Sequence, residues 1–270
     1  MRLVLIALSL SVFAIAARAE QELPIFDAHL HYSHDAWDVV PPKEVIGILR
    51  RAGIKRAMVS SSNNEGTRML QDLAPDLIVP ELRPYRSRGE ISTWAKDPSL
   101  VPFLEEMLAK RKYMAIGEFH IYGADADLPN MRRVVELAKK YGLFLHSHSD
   151  ADAVARHFQQ DAGARVLWAH SGFERPEKVR EMLRRYPSLW CDLAFLTSHA
   201  SNGKVAPGWR EAFLEFPDRF VVGTDTFTPE RWHYVIEHAR WSREWLADLP
   251  PDVARKIAYA NGDRLFGVYR

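Results

Sequence analysis

Cysteine is almost absent, with Cys191 alone in 270 residues. That excludes an intrachain disulfide framework and leaves the fold to stand on its hydrophobic core. An excess of charge of one sign is equally lacking, since 36 Lys and Arg face 35 Asp and Glu. A balanced chain has no electrostatic footprint for nucleic acid. No linker, low-complexity tract or sequence repeat interrupts it, and only the N-terminal apolar run, residues 3–17, is long. That run falls short of the ~20 residues of a membrane-spanning helix. It follows Arg2 and ends in Ala17-Arg18-Ala19, a small-x-small cleavage pattern. The pattern predicts a signal peptide over residues 1–19, leaving residues 20–270 as an exported chain, periplasmic or secreted, with no membrane anchor.

A Gly-rich phosphate loop is also missing. After the first β-type run, where an open dinucleotide-binding sheet would carry one, the chain reads Asp27-Ala28-His29-Leu30-His31. What is present is an alternation of short β-type runs with amphipathic stretches, the signature of βα units around a parallel sheet. The β-type runs are 25–31, 56–60, 76–82, 114–119, 143–148, 166–170, 189–193 and 220–225. Helix-type spacing of apolar residues marks 43–52, 100–110, 128–141, 151–159 and 176–185, and a last helix over 252–266. Thr228-Pro229 reads as the N-cap and first turn of the helix after the eighth run. Eight units in a chain of this size predict a single (β/α)8 TIM barrel. Cys191, inside the apolar run 189–193, reads as an inert buried thiol.

In such barrels the reactive groups stand at strand C-termini. Here these are Asp27, His29 and His31 on the first strand, Glu118 on the fourth, His146 and His148 on the fifth, His170 on the sixth and Asp225 on the eighth. Residues two apart share a face, so His29 with His31, and His146 with His148, are expected to project together into the barrel mouth. His120 adds a sixth imidazole at a strand end, out of 11 in the chain. Burying so many imidazoles and carboxylates together without a cation would strand polar groups at high cost. Nitrogen and oxygen donors suit a divalent transition ion; zinc fits well, and manganese, iron and nickel are also accommodated.

Phe26-Asp27-Ala28-His29-Leu30-His31, Ile116-Gly117-Glu118, Gly142-Leu143-Phe144-Leu145-His146-Ser147-His148, Trp168-Ala169-His170-Ser171-Gly172, Val222-Gly223-Thr224-Asp225 and the closing Asn261-Gly262-Asp263-Arg264-Leu265-Phe266-Gly267 together resemble the amidohydrolase superfamily. The likeness is to its amidohydrolase-related branch, along the whole mature chain. It implies a metal-dependent hydrolase in which His29, His31, His148, His170 and Asp225 are metal ligands. Asp225 is then also the general base, and His170 either binds metal or steadies the oxyanion. Asp27 is expected to orient a ligand or brace the strand. His146 is left as a substrate contact, a supporting donor, or the ligand in place of His148. On the fourth strand many binuclear members carry a carboxylated lysine, whereas Glu118 stands here. A glutamate at that place resembles the metal-dependent deoxyribonuclease relatives, so that Glu118 either bridges two metals or is salt-bridged beside one.

The resemblance thus implies activated water attacking a carbonyl or phosphoryl centre of a small-molecule substrate. A one-metal decarboxylase of the same branch is the alternative reaction, and a non-catalytic metal-binding barrel a third reading. After the third strand, Arg83, Arg86 and Arg88 are candidates to clamp a substrate carboxylate or phosphate, or are simply solvated. Trp37, Trp94, Phe227 and Trp232 are candidate apolar walls of the pocket, or packing residues.

Overall fold

A computed structural model describes residues 22–195 and 197–267; the expected signal peptide lies outside the described residues. Short β-branched and apolar runs form seven strands of the main sheet, β1 (Ile25–His31), β2 (Ile54–Ser60), β3 (Ile78–Leu82), β4 (Ala115–His120), β5 (Phe144–His148), β6 (Arg165–Trp168) and β7 (Leu189–Asp192). A two-strand hairpin, β8 (Ala200–Ser201) and β9 (Lys204–Val205), precedes the eighth strand of the barrel, β10 (Phe220–Val221). All pairings in the main sheet are parallel and sequential, from β1 to β7 and then β10. The seam between last and first strand is closed by the segment after β10. Ala28 N–H donates to the Val222 carbonyl, His31 N–H to that of Thr226, and Asp225 N–H to that of His29, at 2.8–2.9 Å. The result is a (β/α)8 TIM barrel.

Outside it lie α1 (Pro42–Arg51), α2 (Glu65–Leu73), α3 (Leu100–Lys110), α4 (Pro129–Tyr141), α5 (Ala151–Gln160), α6 (Pro176–Arg185), α7 (Pro207–Glu215) and α8 (Val235–Leu246). The chain then runs through α9 (Pro251–Arg255), one π-turn and α10 (Asn261–Phe266). Pro229 opens a 3-10 turn to Tyr234 instead of an α-helix, and Thr228, though extended, makes no side-chain cap bond. The sixth run ends two residues earlier than expected, at Trp168. His170 therefore sits on a tight turn in which His170, Ser171, Gly172 and Phe173 all have positive φ.

Alternation sorts the strand residues into two cores. Ile25, Leu30, Ala57, Val59, Ile78, Leu82, Val166 and Leu189 face the helices. Phe26, Ala28, Met58, Val79, Ala115, Phe144, Leu167 and Val221 fill the lower barrel interior with Leu265 and Phe266 of α10. Phe266 plugs that end, its ring 4.7 Å from Phe144 and 5.7 Å from Phe26. Above this apolar layer the interior turns polar.

Two register shifts decide which residues do so. Between Asp27 and Leu30 the β1–β2 pairing slips. Below the slip the inward residues of β1 are Phe26 and Ala28; above it they are His29 and His31, while Leu30 joins the outer core. The β4–β5 pairing slips between Gly117 and Phe119, so the inward set passes from Ala115 and Gly117 to Glu118 and His120. Bulges of this kind re-aim side chains next to active sites. Strict alternation upward from the plug would have turned His29, His31 and Glu118 out toward the helices.

Candidate metal centre

The polar upper interior has two levels. In the lower one, entirely buried, His146 bridges two carboxylates. Its Nδ1 donates to Glu81 at 2.9 Å and its Nε2 to Asp192 at 2.9 Å. With both ring nitrogens donating, His146 is an imidazolium. Burial alone would lower its pKa, but Glu81 and Asp192 outweigh burial and hold it at about 9. Asp192 Oδ2 also accepts from His29 Nδ1 at 3.2 Å, while Oδ1 takes the backbone N–H groups of His170 and Ala194 at 3.0 and 2.9 Å. Asp27 performs the parallel task at the seam, accepting from the Thr224 hydroxyl at 2.8 Å and from the His29 and Thr224 amides at 3.1 Å. Those bonds brace β1 against the closing segment.

The upper level is where the lone pairs converge. Asp192 can only accept, so His29 carries a proton on Nδ1 and turns its Nε2 upward. That atom lies 3.1 Å from His31 Nε2, 3.6 Å from Glu118 Oε2 and 3.6 Å from Asp225 Oδ1. His31 Nε2 is 3.4 Å from Glu118 Oε2 and 3.5 Å from Asp225 Oδ1. Bonds of about 2.0–2.1 Å set the donors of a tetrahedral zinc roughly 3.3–3.4 Å apart, so these separations are those of a ligand shell. Two imidazole nitrogens and two carboxylates meeting at this range require positive charge between them, a proton or a cation. The titration behaviour reflects the same field. Burial would depress His29, yet Asp192, Glu118 and Asp225 raise it well above its ordinary value. Asp225 would be raised by burial, but His29 and His31 pull it down to about 2.

Glu118 divides its two oxygens. Oε2 faces His29 and His31, whereas Oε1 lies 2.7 Å from His148 Nδ1 and 3.4 Å from His170 Nε2. The Ala194 carbonyl accepts from His170 Nδ1 at 2.7 Å, which leaves His170 Nε2 as a free lone pair toward Glu118. Residues 29, 31, 118, 170 and 225, drawn from β1, β4, the turn after β6 and the closing segment, thus form contiguous triplets able to hold a cation. His148 joins through Glu118 and His120. Asp225 and His170 both hold positive φ, a conformation that ordinarily signals functional constraint in non-glycine residues.

Above the centre opens a cavity of about 300 Å³ lined by His31, Glu118, His148, His170 and Asp225 beneath, with loop residues around them. His120 also lines it, a residue that pattern reading counted but gave no role. Buried Tyr85 accepts the His120 backbone N–H, and its own hydroxyl donates to His120 Nδ1 at 3.0 Å. Nδ1 being an acceptor, His120 carries its ring proton on Nε2. Burial keeps the ring neutral, its pKa pushed down to about 3.

These contacts place the three expected substrate residues. His146 does not line the cavity; it lies one level too low and both its nitrogens are taken. Arg86 is turned into its own loop, bound to Glu90, Asp97 and Ser99, and does not line the cavity either. Arg83 does reach it, but as a partner of the centre, 2.8 Å from His31 Nδ1 and 3.3 Å from Glu118 Oε2. A guanidinium only donates, so His31 Nδ1 accepts here; the Ser60 carbonyl and hydroxyl, 3.2 and 2.9 Å away, are the groups an Nδ1 proton would use with a cation on Nε2. Trp94 and Trp232 are core residues, whereas Phe227 walls the cavity. Sequence reasoning passed over Asp192 and Glu81, whose signal was an acid at the end of an apolar run.

A profile of the amidohydrolase family matches residues 103–268. The chain belongs to that family. Membership makes it a metal-dependent hydrolase, and the clusters just described are where this amidohydrolase can hold a divalent ion. Among solved structures it is similar to an uncharacterized TIM-barrel protein from Bordetella bronchiseptica, with TM-score 0.65, 14% identity, and 92% of this chain and 99% of the other covered. It is similar also to a probable 2-pyrone-4,6-dicarboxylic acid hydrolase from Acinetobacter baumannii, with TM-score 0.54, 12% identity and coverage of 90% and 99%. A β-aspartyl dipeptidase from Fervidobacterium islandicum aligns at TM-score 0.57 and 15% identity over 91% of this chain and 73% of its own. At such identities the likeness shows the barrel fold. A search of curated proteins found no significant match.

Proposed function

We propose that this amidohydrolase hydrolyses an amide, ester or lactone of a small molecule using two divalent ions, zinc being the best fit to the donor set. His29, His31 and Asp225 would hold one ion, His148 and His170 the other, with Glu118 between them. The observation that carries this reading is the split of Glu118, one oxygen toward each pair of imidazoles. A divalent ion so held lowers the pKa of water toward neutrality and polarises a carbonyl oxygen. Asp225, an ionised carboxylate at the cavity floor, accepts the proton of the attacking water and returns it to the leaving group. His120, with Nε2–H in the cavity wall, is positioned to donate to a substrate oxygen. A carbonyl substrate is preferred to a phosphoryl one because the nearby guanidinium groups are already engaged by Glu118, Asp97 and Asp35. Export through residues 1–19, leaving 20–270 as the working enzyme, belongs to the same proposal and rests on the sequence pattern.

Elemental analysis of zinc-loaded protein tests the centre, with two ions per chain expected. One ion would return the one-metal decarboxylase, and none would overturn the reading. Asp225→Asn is expected to lower turnover of an ester or lactone substrate by about 10²- to 10⁴-fold. Unimpaired turnover would remove Asp225 as the base.

A further inference from the structure

Phenylalanine is normally a core residue, yet Phe173, Phe195 and Phe227 are 51%, 46% and 37% exposed, and all three line the cavity above the metal centre. They come from three separate segments, following β6, β7 and β10, so their convergence is a product of the fold and not of a local apolar run. Each is fixed to ligand-bearing backbone. Phe173 stacks on His170 with ring centroids 4.6 Å apart and planes at 19°. Phe195 and Phe227 lie 6.2 Å apart, and the Arg231 guanidinium covers both rings at 4.9 and 5.3 Å. Arg231 is in turn anchored on the carbonyls of Asp225 and Thr224 at 2.7 and 2.8 Å. Phe173 and Phe195 both hold positive φ, a conformation that costs about 1–3 kcal/mol and persists where the surroundings impose it. Ile91, 39% exposed, completes an apolar collar.

The cations around the collar are already committed. Arg83 is bound to His31 and Glu118; its Nε has no partner but is buried, out of a ligand's reach. Arg88 is bound to Asp35 and to the Phe227 carbonyl, and Arg231 to the two carbonyls beneath it. A substrate carboxylate seated on these rings would exchange water for apolar contact, at a cost.

We propose that the substrate carries an uncharged aryl or alkyl group beside its scissile carbonyl and that Phe173, Phe195, Phe227 and Ile91 seat that group. This specificity rests on the hydrolytic, metal-dependent reading above.

The two are separated by binding of hydroxamates to the zinc-loaded protein, followed by calorimetry. Acetohydroxamate needs the metal but not the collar, octanohydroxamate needs both, and succinic monohydroxamate offers a carboxylate to the collar instead. Octanohydroxamate is expected to bind about tenfold or more tightly than acetohydroxamate, given about fourfold per fully buried methylene. Most of that difference is expected to vanish in the double variant Phe195→Ala, Phe227→Ala. The exposure of both rings makes its folding safe, and a melting curve checks it. Equal affinities for the first two compounds, or tightest binding of the succinic compound, would overturn the collar while leaving the metal reading in place. Failure of all three to bind would overturn the metal reading, and the collar with it.

Discussion

Asp192 shows how much of a metal centre depends on residues that never reach the ion. It holds the Nδ1 proton of His29, one side of the His146 imidazolium, and the backbone amide that sets His170 in its turn. Asp192→Asn keeps the shape and removes the charge. It is expected to weaken zinc affinity by about 10- to 100-fold, as loss of a carboxylate behind a metal-bound histidine does, measured by competition with a chelator. Tyr85→Phe tests the opposite wall, because it leaves the His120 amide and Nδ1 without their partner. The expected loss is about 1–3 kcal/mol of unfolding free energy in urea titration. Neither residue was legible from the sequence. Tyr85 sits among Arg83, Arg86 and Arg88, and Asp192 lies inside the run 189–193, which reads as apolar. The residues that were legible, His29, His31, Glu118, His148, His170 and Asp225, were so because acids and imidazoles at successive strand ends have no use in an apolar core.

At the scale of elements, the strands and several helices followed directly from periodicity, with α3 and α6 matching to the residue. Alternation failed at the two bulges. A pattern of period two carries no mark for an extra residue, and the inward face changes there because partner strands impose the register. Gly117 is the hinge of the second bulge. At φ 151°, a Cβ on it would overlap the His146 carbonyl and come within 2.8 Å of Glu81 Oε1. Gly117→Ala is therefore expected to cost about 2 kcal/mol or more and to lower metal content together with stability, since Glu118 is aimed by that bulge. Unchanged melting temperature and zinc content would show that the strand adapts. The turn carrying His170 was likewise invisible, because residues 166–170 read as continuous strand until Asp192 and Ala194 draw the chain aside.

Across the whole molecule, stability should fall in mild acid, and a residue outside the metal centre contributes. His157 on α5 is fully buried, its Nε2 on the Ser147 hydroxyl, and burial lowers its pKa to about 4. The unfolded chain takes up this proton near pH 6.5, ahead of the folded one. The contribution is therefore complete above pH 6.5 and is lost progressively down to about pH 4, amounting to roughly 3 kcal/mol. His157→Leu should flatten that part of the pH–stability curve; an unaltered slope would assign acid sensitivity elsewhere. The barrel interior is sealed by Phe266 from α10, the last helix described, and the seam is closed by β1 meeting residues 222–226. During synthesis, then, the lower core and the imidazoles above it stay incomplete until residues 222–226 and Phe266 have emerged. A chain stopped before them has no competent centre.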